Sequence, residues 1–186
     1  INYDVDKGFP GSLLVVVKNG KIIKNTAYGY VRKFSDGGKA LKTPVKITID
    51  TLFDIASNTK MFATNFVLMK LVSDGKLDVS LPINYYLPNY RGDGRELRTI
   101  KDILTHSAGY APEVKFFTKE NILGSSFFSQ NEERTKELLL TKVPFVVGRS
   151  TKRMYSDTDY MLLGMVIEKI TGMPLDLYTE YNIYQA

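Results

Sequence analysis

Apolar residues run along the chain in two rhythms. Residues 12–18 carry Leu13, Leu14, Val15, Val16 and Val17 in one β-branched run, which predicts a strand. Asn19-Gly20 is a strong two-residue hairpin signal, and residues 21–31, with Ile22, Ile23, Tyr28 and Tyr30, are the expected partner strand. Residues 45–49 alternate as Val-Lys-Ile-Thr-Ile and predict a short third strand. The rhythm then changes. From Met61 to Val72 apolar residues fall on nearly every face, the pattern of a helix buried all round, and Asp74-Gly75 ends it. Thr99 reads as the N-cap of a helix over 100–105. Further helices are expected over 132–142, stopped before Pro144, over 157–171, capped by Gly172, and from Pro174 through about Tyr184. Residues 1–11 read as a loop, and residues 76–88 as a proline-punctuated segment holding one short helical turn. Residues 111–130 have no period but are rich in Phe, and a long irregular stretch of that kind is expected to form a wall or lid.

A hairpin (12–31) followed by a helical region (54–186) makes an α+β chain, read as one unit with no repeat and no linker. A two-stranded hairpin is marginal alone, so its apolar strands ask for neighbours. None follow before Ala186, and part of the sheet is expected to lie outside this chain. Composition narrows the function classes. The 186 residues are 44% hydrophobic and 24% charged, enough apolar content to fill a core. The net charge of +5 comes from scattered basic residues without the clustering of a nucleic-acid surface, and its mild field favours anionic substrates. There is no cysteine, which excludes disulfides, thiolate zinc sites and a cysteine nucleophile. A single histidine, His106, excludes a histidine-rich metal site. No stretch approaches 18 apolar residues, so no transmembrane helix is expected.

Ser57 and Lys60 stand at the start of the long apolar helix, three residues apart. That spacing puts both side chains on one face, about 5–6 Å apart at Cβ. A serine hydroxyl becomes a nucleophile when a neighbouring base takes its proton, and a lysine serves as that base when it is partly neutral. Burial and the positive end of a helix both favour the neutral form, and both are expected at Lys60. Taken alone S-x-x-K is a common pattern, with the serine as a cap and the lysine as a solvated charge. The apolar helix behind the pair leaves Lys60 no obvious wet face. His106 stands beside Ser107, but adjacent helical residues do not face each other and the chain has no G-x-S-x-G elbow.

Three stretches together carry a resemblance: Phe53-Asp-Ile-Ala-Ser57-Asn-Thr-Lys60, Leu104-Thr-His106-Ser-Ala-Gly109-Tyr110, and Tyr155-Ser156-Asp157 followed by Asp159-Tyr-Met-Leu-Leu-Gly164. In that order and spacing the chain resembles the class C β-lactamase-like serine hydrolases, a superfamily shared with penicillin-binding proteins, and within it the D-alanyl-D-alanine carboxypeptidase type. The resemblance implies a β-lactamase/transpeptidase-like α+β fold, with the chain as the N-terminal part of a single catalytic domain. It implies that Ser57 is the acylated nucleophile, Lys60 its proton acceptor and Tyr155 a proton shuttle to the leaving group. It implies His106 as a structural part of a helix end, and no metal or organic cofactor. Asp157 departs from the pattern, which has asparagine there to bind a substrate carbonyl. A carboxylate only accepts, and beside Lys60 it favours the ammonium. The family's third motif, K-T-G or H-T-G on a later strand, does not occur between Gly172 and Ala186.

The expected function is therefore acyl transfer through a Ser57 ester on peptidoglycan peptides, with penicillins as acylating agents. A β-lactamase or small-ester hydrolase on the same scaffold is the second reading. A catalytically silent module that binds peptidoglycan or a partner is the third. Without the third motif this chain alone is expected to be a weak catalyst, because positioning and oxyanion donors supply most of the rate. The resemblance also implies a periplasmic setting, with any anchor to the inner membrane and a C-terminal remainder of the same protein lying outside this chain.

Overall fold

Asn19 and Gly20 both take positive φ, 51° and 72°, the conformation of a tight two-residue turn that matches the twist of its strands. In the computed structural model, which describes residues 1–185, this turn joins β1 (Gly11–Lys18) to β2 (Lys21–Gly29) as an antiparallel pair. The register runs from Gly11 opposite Gly29 to Lys18 opposite Lys21, with an irregularity between Val16 and Val17. The strand expected over 45–49 does not form. A single bridge pairs Lys46 with Tyr30, flanked by backbone bonds from Val31 N–H to Val45 O and from Ile47 N–H to Gly29 O. Pro44, with no N–H to give, stands where the pairing would continue. Residues expected as a leading loop form a short helix instead, α1 (Asn2–Asp6), which buries Val5.

The chain divides into two compact units, Ile1–Ile55 and Ala56–Ala186. The first holds α1, the hairpin and the bridge. Its strands leave Val15, Val17, Ile22 and Ile23 exposed. The second is helical and contains the hydrophobic core. A π-helical turn (Lys60–Asn65) runs into α2 (Phe66–Ser73), followed by a one-turn α3 (Ile83–Tyr86) and α4 (Ile100–Leu104). Then come α5 (Glu132–Thr141), α6 (Asp157–Thr171) and α7 (Leu175–Thr179), which passes into a last π-helical turn (Glu180–Tyr184). The expected caps at Thr99 and Gly172 form: Thr99 makes a reciprocal capping box with Asp102 on α4, and Gly172 closes α6 at φ 69°. Asn131, not singled out in the sequence, accepts from Arg134 N–H at the start of α5.

The core is built around α6. Leu162, Leu163, Val166 and Ile167 are fully buried and cluster with Val67, Leu71, Ile83, Ile100 and Ile103. The α2 segment differs from its expectation. Thr64, Val67, Leu68 and Leu71 make one buried stripe, while Met61, Phe62, Met69 and Val72 are exposed. The helix is apolar all round, but among the described residues only one face has a partner. Of the Phe-rich residues 111–130, Phe116 joins the core and Phe117 is exposed.

Candidate active site

The turn that presents Ser57 is built from an unusual residue. Ala56 takes φ 44°, a left-handed conformation that costs an alanine on the order of 1 kcal/mol. Ala56–Asn58 form a 3-10 turn that runs through Thr59 into the π-helical turn at Lys60. Ser57 is exposed at its tip and Lys60 follows on the same side. The Lys60 ammonium donates to Ser57 Oγ at 3.1 Å.

The second half of the site arrives from 98 residues away. Tyr155 lies just before α6 and donates its hydroxyl to Ser57 Oγ at 2.8 Å. Asp157, the first residue of α6, accepts from Lys60 Nζ at 2.7 Å. The lysine also sits over two rings, 5.0 Å from the centre of Tyr155 and 5.7 Å from that of Tyr160. Burial alone pulls the Lys60 ammonium down, but the hydrogen bonds and charge from Asp157 and Tyr155 outweigh it, and the lysine titrates above its ordinary 10.5. The expectation of a partly neutral Lys60 therefore gives way to a paired ammonium. The cause is the carboxylate that Asp157 brings where asparagine was the pattern. Ser57, Lys60, Asp157 and Tyr160 line an open cleft of about 450 Å³ together with Thr64 and Met161. None of residues 111–130 lines it, so the expected lid does not cover this cleft.

That stretch contributes in another way. The segment carrying Tyr155 and Asp157 is tied to residues 106–112. Met154 N–H donates to His106 O at 2.8 Å, Asp157 N–H to Pro112 O at 2.9 Å, and Ser156 Oγ to Ala111 O at 2.7 Å. His106 follows α4 at φ 55°, and its ring packs on Tyr155 and Tyr160 with centroids 4.8 and 5.2 Å away. Its Nδ1 faces Asp159 Oδ2 at 2.8 Å, not Ser57, so no Ser–His couple exists. Ser107 Oγ donates to Asp102 O and takes no part in the cleft.

All four residues singled out from the sequence, Ser57, Lys60, Tyr155 and Asp157, thus meet in one hydrogen-bonded cluster. Asp159 and Tyr160 stood inside the third motif stretch without a role, and Thr64 was not singled out. The partner of Tyr160, Asn65 Oδ1 at 3.1 Å, lies on another element.

The Beta-lactamase family profile matches residues 2–186. The chain belongs to the beta-lactamase family. Among curated relatives it is 46% identical to a Bacillus subtilis (strain 168) protein named N-acetylmuramyl-L-alanine amidase, across all of this chain and 42% of that one. It is 42% identical to a putative D-alanyl-D-alanine carboxypeptidase of Salmonella paratyphi B, across all of this chain and 43% of that one. The chain thus spans less than half the length of the curated relatives it matches. A crystal structure of a class C beta lactamase superposes on 97% of this chain and 44% of its own, with a TM-score of 0.75 and 22% identity, which establishes a β-lactamase/transpeptidase-like fold.

Proposed function

We propose that this beta-lactamase family member is the N-terminal part of a single catalytic domain of a serine hydrolase. It acts through a Ser57 acyl-enzyme as a D-alanyl-D-alanine carboxypeptidase-type penicillin-binding protein on cell-wall peptides, in a periplasmic setting. One observation carries the reading. Ser57 Oγ, exposed at a left-handed turn, is hydrogen-bonded at once to Lys60 Nζ and Tyr155 OH. A serine flanked by two proton-transfer groups is the arrangement nucleophilic catalysis needs. The names of two relatives, one a putative carboxypeptidase and one an amidase, support hydrolysis of an amide bond.

In this reading Ser57 Oγ attacks the carbonyl carbon of the substrate and a C–O bond forms. The Ser57 proton leaves through Lys60 or Tyr155, and the amide nitrogen takes a proton as its C–N bond breaks. Water then attacks the ester and frees Ser57. Lys60 accepts a proton only after losing its own, and Asp157 at 2.7 Å opposes that loss by stabilising the ammonium. The same ion pair favours a slow enzyme over a fast one, so the β-lactamase or esterase reading ranks second. A silent binding module ranks third.

Intact mass after incubation with a penicillin tests this, for the chain and for a version continued at its C-terminus. A lasting adduct of one penicillin that vanishes in Ser57→Ala is the expected result. Rapid loss of the adduct with product release would favour the lactamase or esterase. No adduct on either folded form would sink the acyl-enzyme.

A further inference from the structure

His106 and Asp159 lie directly beneath the cluster, and neither has a part in the chemistry above. Asp159 is 1% exposed, on the first turn of α6. Its Oδ2 lies 2.8 Å from His106 Nδ1, and its Oδ1 is buried with no hydrogen-bond partner among the described residues. The same Nδ1 is the acceptor for Ser156 N–H at 3.2 Å. A ring nitrogen that accepts from an N–H offers its lone pair and carries no proton of its own. The short contact to Asp159 then requires the proton to sit on the carboxyl. The opposite arrangement, imidazolium against carboxylate, would set an Nδ1–H against the Ser156 N–H and leave a buried charge with one oxygen unsatisfied.

We propose that His106 and Asp159 form a neutral pair sharing one proton, and that this pair is the positioning unit that holds the Ser156 backbone and so aims Tyr155 and Asp157 at Ser57. Tyr155 and Asp157 flank Ser156 in the chain, so whatever holds its N–H sets both side chains. The groups around the pair agree. His106 faces the Lys60 ammonium and Asp157, with the Tyr155 and Tyr160 rings on it. Burial and then the Lys60 charge push it below its ordinary value, while Asp157 pulls it up. Asp159 faces Tyr110 and Asp102, itself bonded to Arg149, and burial with the Asp102 charge pushes its carboxyl up to about 8. Above that pH the carboxyl loses its proton. Two lone pairs then meet across 2.8 Å, or the ring shifts its own proton from Nε2 to Nδ1 and turns a donor toward Ser156 N–H. Either change loosens the segment that carries Tyr155.

The catalytic consequence rests on the acyl-enzyme reading; the protonation state does not, and two measurements separate them. His106 is the sole histidine, so a sample labelled with ¹⁵N-histidine gives one imidazole to read without assignment. The expected spectrum at pH 7 shows Nε2 protonated and Nδ1 bare. A proton on Nδ1 in the folded chain, in either the neutral or the cationic ring, overturns the pair. The second measurement is the rate of penicillin acylation at pH 9 relative to pH 7, in the parent and in Asp159→Asn, whose amide donates to Nδ1 and does not titrate. Loss of the Lys60 proton raises both rates alike between these pH values, so the parent ratio is expected to lie roughly tenfold below the variant ratio, as the protonated fraction of a group titrating near 8 falls. Equal ratios in both would overturn the positioning role. If neither protein is acylated at any pH, the acyl-enzyme reading fails and the nitrogen spectrum alone decides the pair.

Discussion

At the residue scale two aspartates set the character of the site, in opposite ways. Asp157 accepts from Lys60 Nζ at 2.7 Å and favours the ammonium. Asp157→Asn removes the carboxylate charge and its hydrogen-bond acceptor, so Lys60 falls toward or below its ordinary 10.5 and spends more time as a base. Stopped-flow acylation by a penicillin at neutral pH is expected to quicken by roughly tenfold for each unit of that fall. An unchanged rate would show that Lys60 is not the acceptor. Asp159 is the reverse case. Folded, it keeps its proton up to about 8; its ordinary value is 3.8. Between those values the native state binds more protons than the unfolded chain, so stability falls as pH rises through that window. Asp159→Asn escapes the penalty. Its advantage in denaturant midpoint over the parent is expected to be absent below about 3.8, to grow to about 8 and to stay flat above, reaching on the order of a few kcal/mol. An advantage that does not vary with pH would contradict the buried neutral carboxyl.

At the element scale the site depends on how short segments end. The α4 helix stops at Leu104, and the chain then turns through His106 at φ 55° and Gly109 at φ 102° before reaching Ala111 and Pro112, which hold Ser156 and Asp157. A Cβ on Gly109 would meet Val147 O at 2.3 Å, and the backbone there cannot yield as a flexible side chain would. Gly109→Ala is therefore expected to cost about 2–4 kcal/mol and lower the melting temperature by several degrees, with parent-like behaviour the outcome against it. This glycine stood in one of the motifs legible in the sequence, and Thr99 was legible as an N-cap, which the structure contains. Helix ends were readable because a cap is a local device made of two or three residues. The π-helical turn over Lys60–Asn65 was not, nor the left-handed Ala56, since neither residue type announces that backbone. The strand expected over 45–49 alternates correctly but gains only one bridge, because strand formation is decided by a partner's register and not by the segment's own pattern.

At the scale of the whole molecule the two compact units differ in what holds them. Residues 56–186 contain the entire hydrophobic core cluster, whereas the first unit buries only Val5 and Ile47 among its apolar side chains. Expressed alone, 56–186 is expected to unfold cooperatively in urea, and 1–55 to show no cooperative transition, because a two-stranded sheet cannot repay its chain entropy. A sharp transition in the isolated 1–55 piece would refute this. What the sequence determined by itself was the α+β order, the hairpin turn, two helix caps and the Ser57–Lys60 spacing, while Tyr155 and Asp157 were singled out by the family resemblance. The former follow from local rules, in which neighbours within a few positions fix backbone and face. Tertiary structure alone decided the rest. It brought Tyr155 to within 2.8 Å of Ser57 across 98 positions, set Asp157 on Lys60, and buried Asp159 against His106. Such contacts depend on where α6 packs against α4 and the turn after Ser57, and packing is a property of surfaces that meet only once the chain has folded.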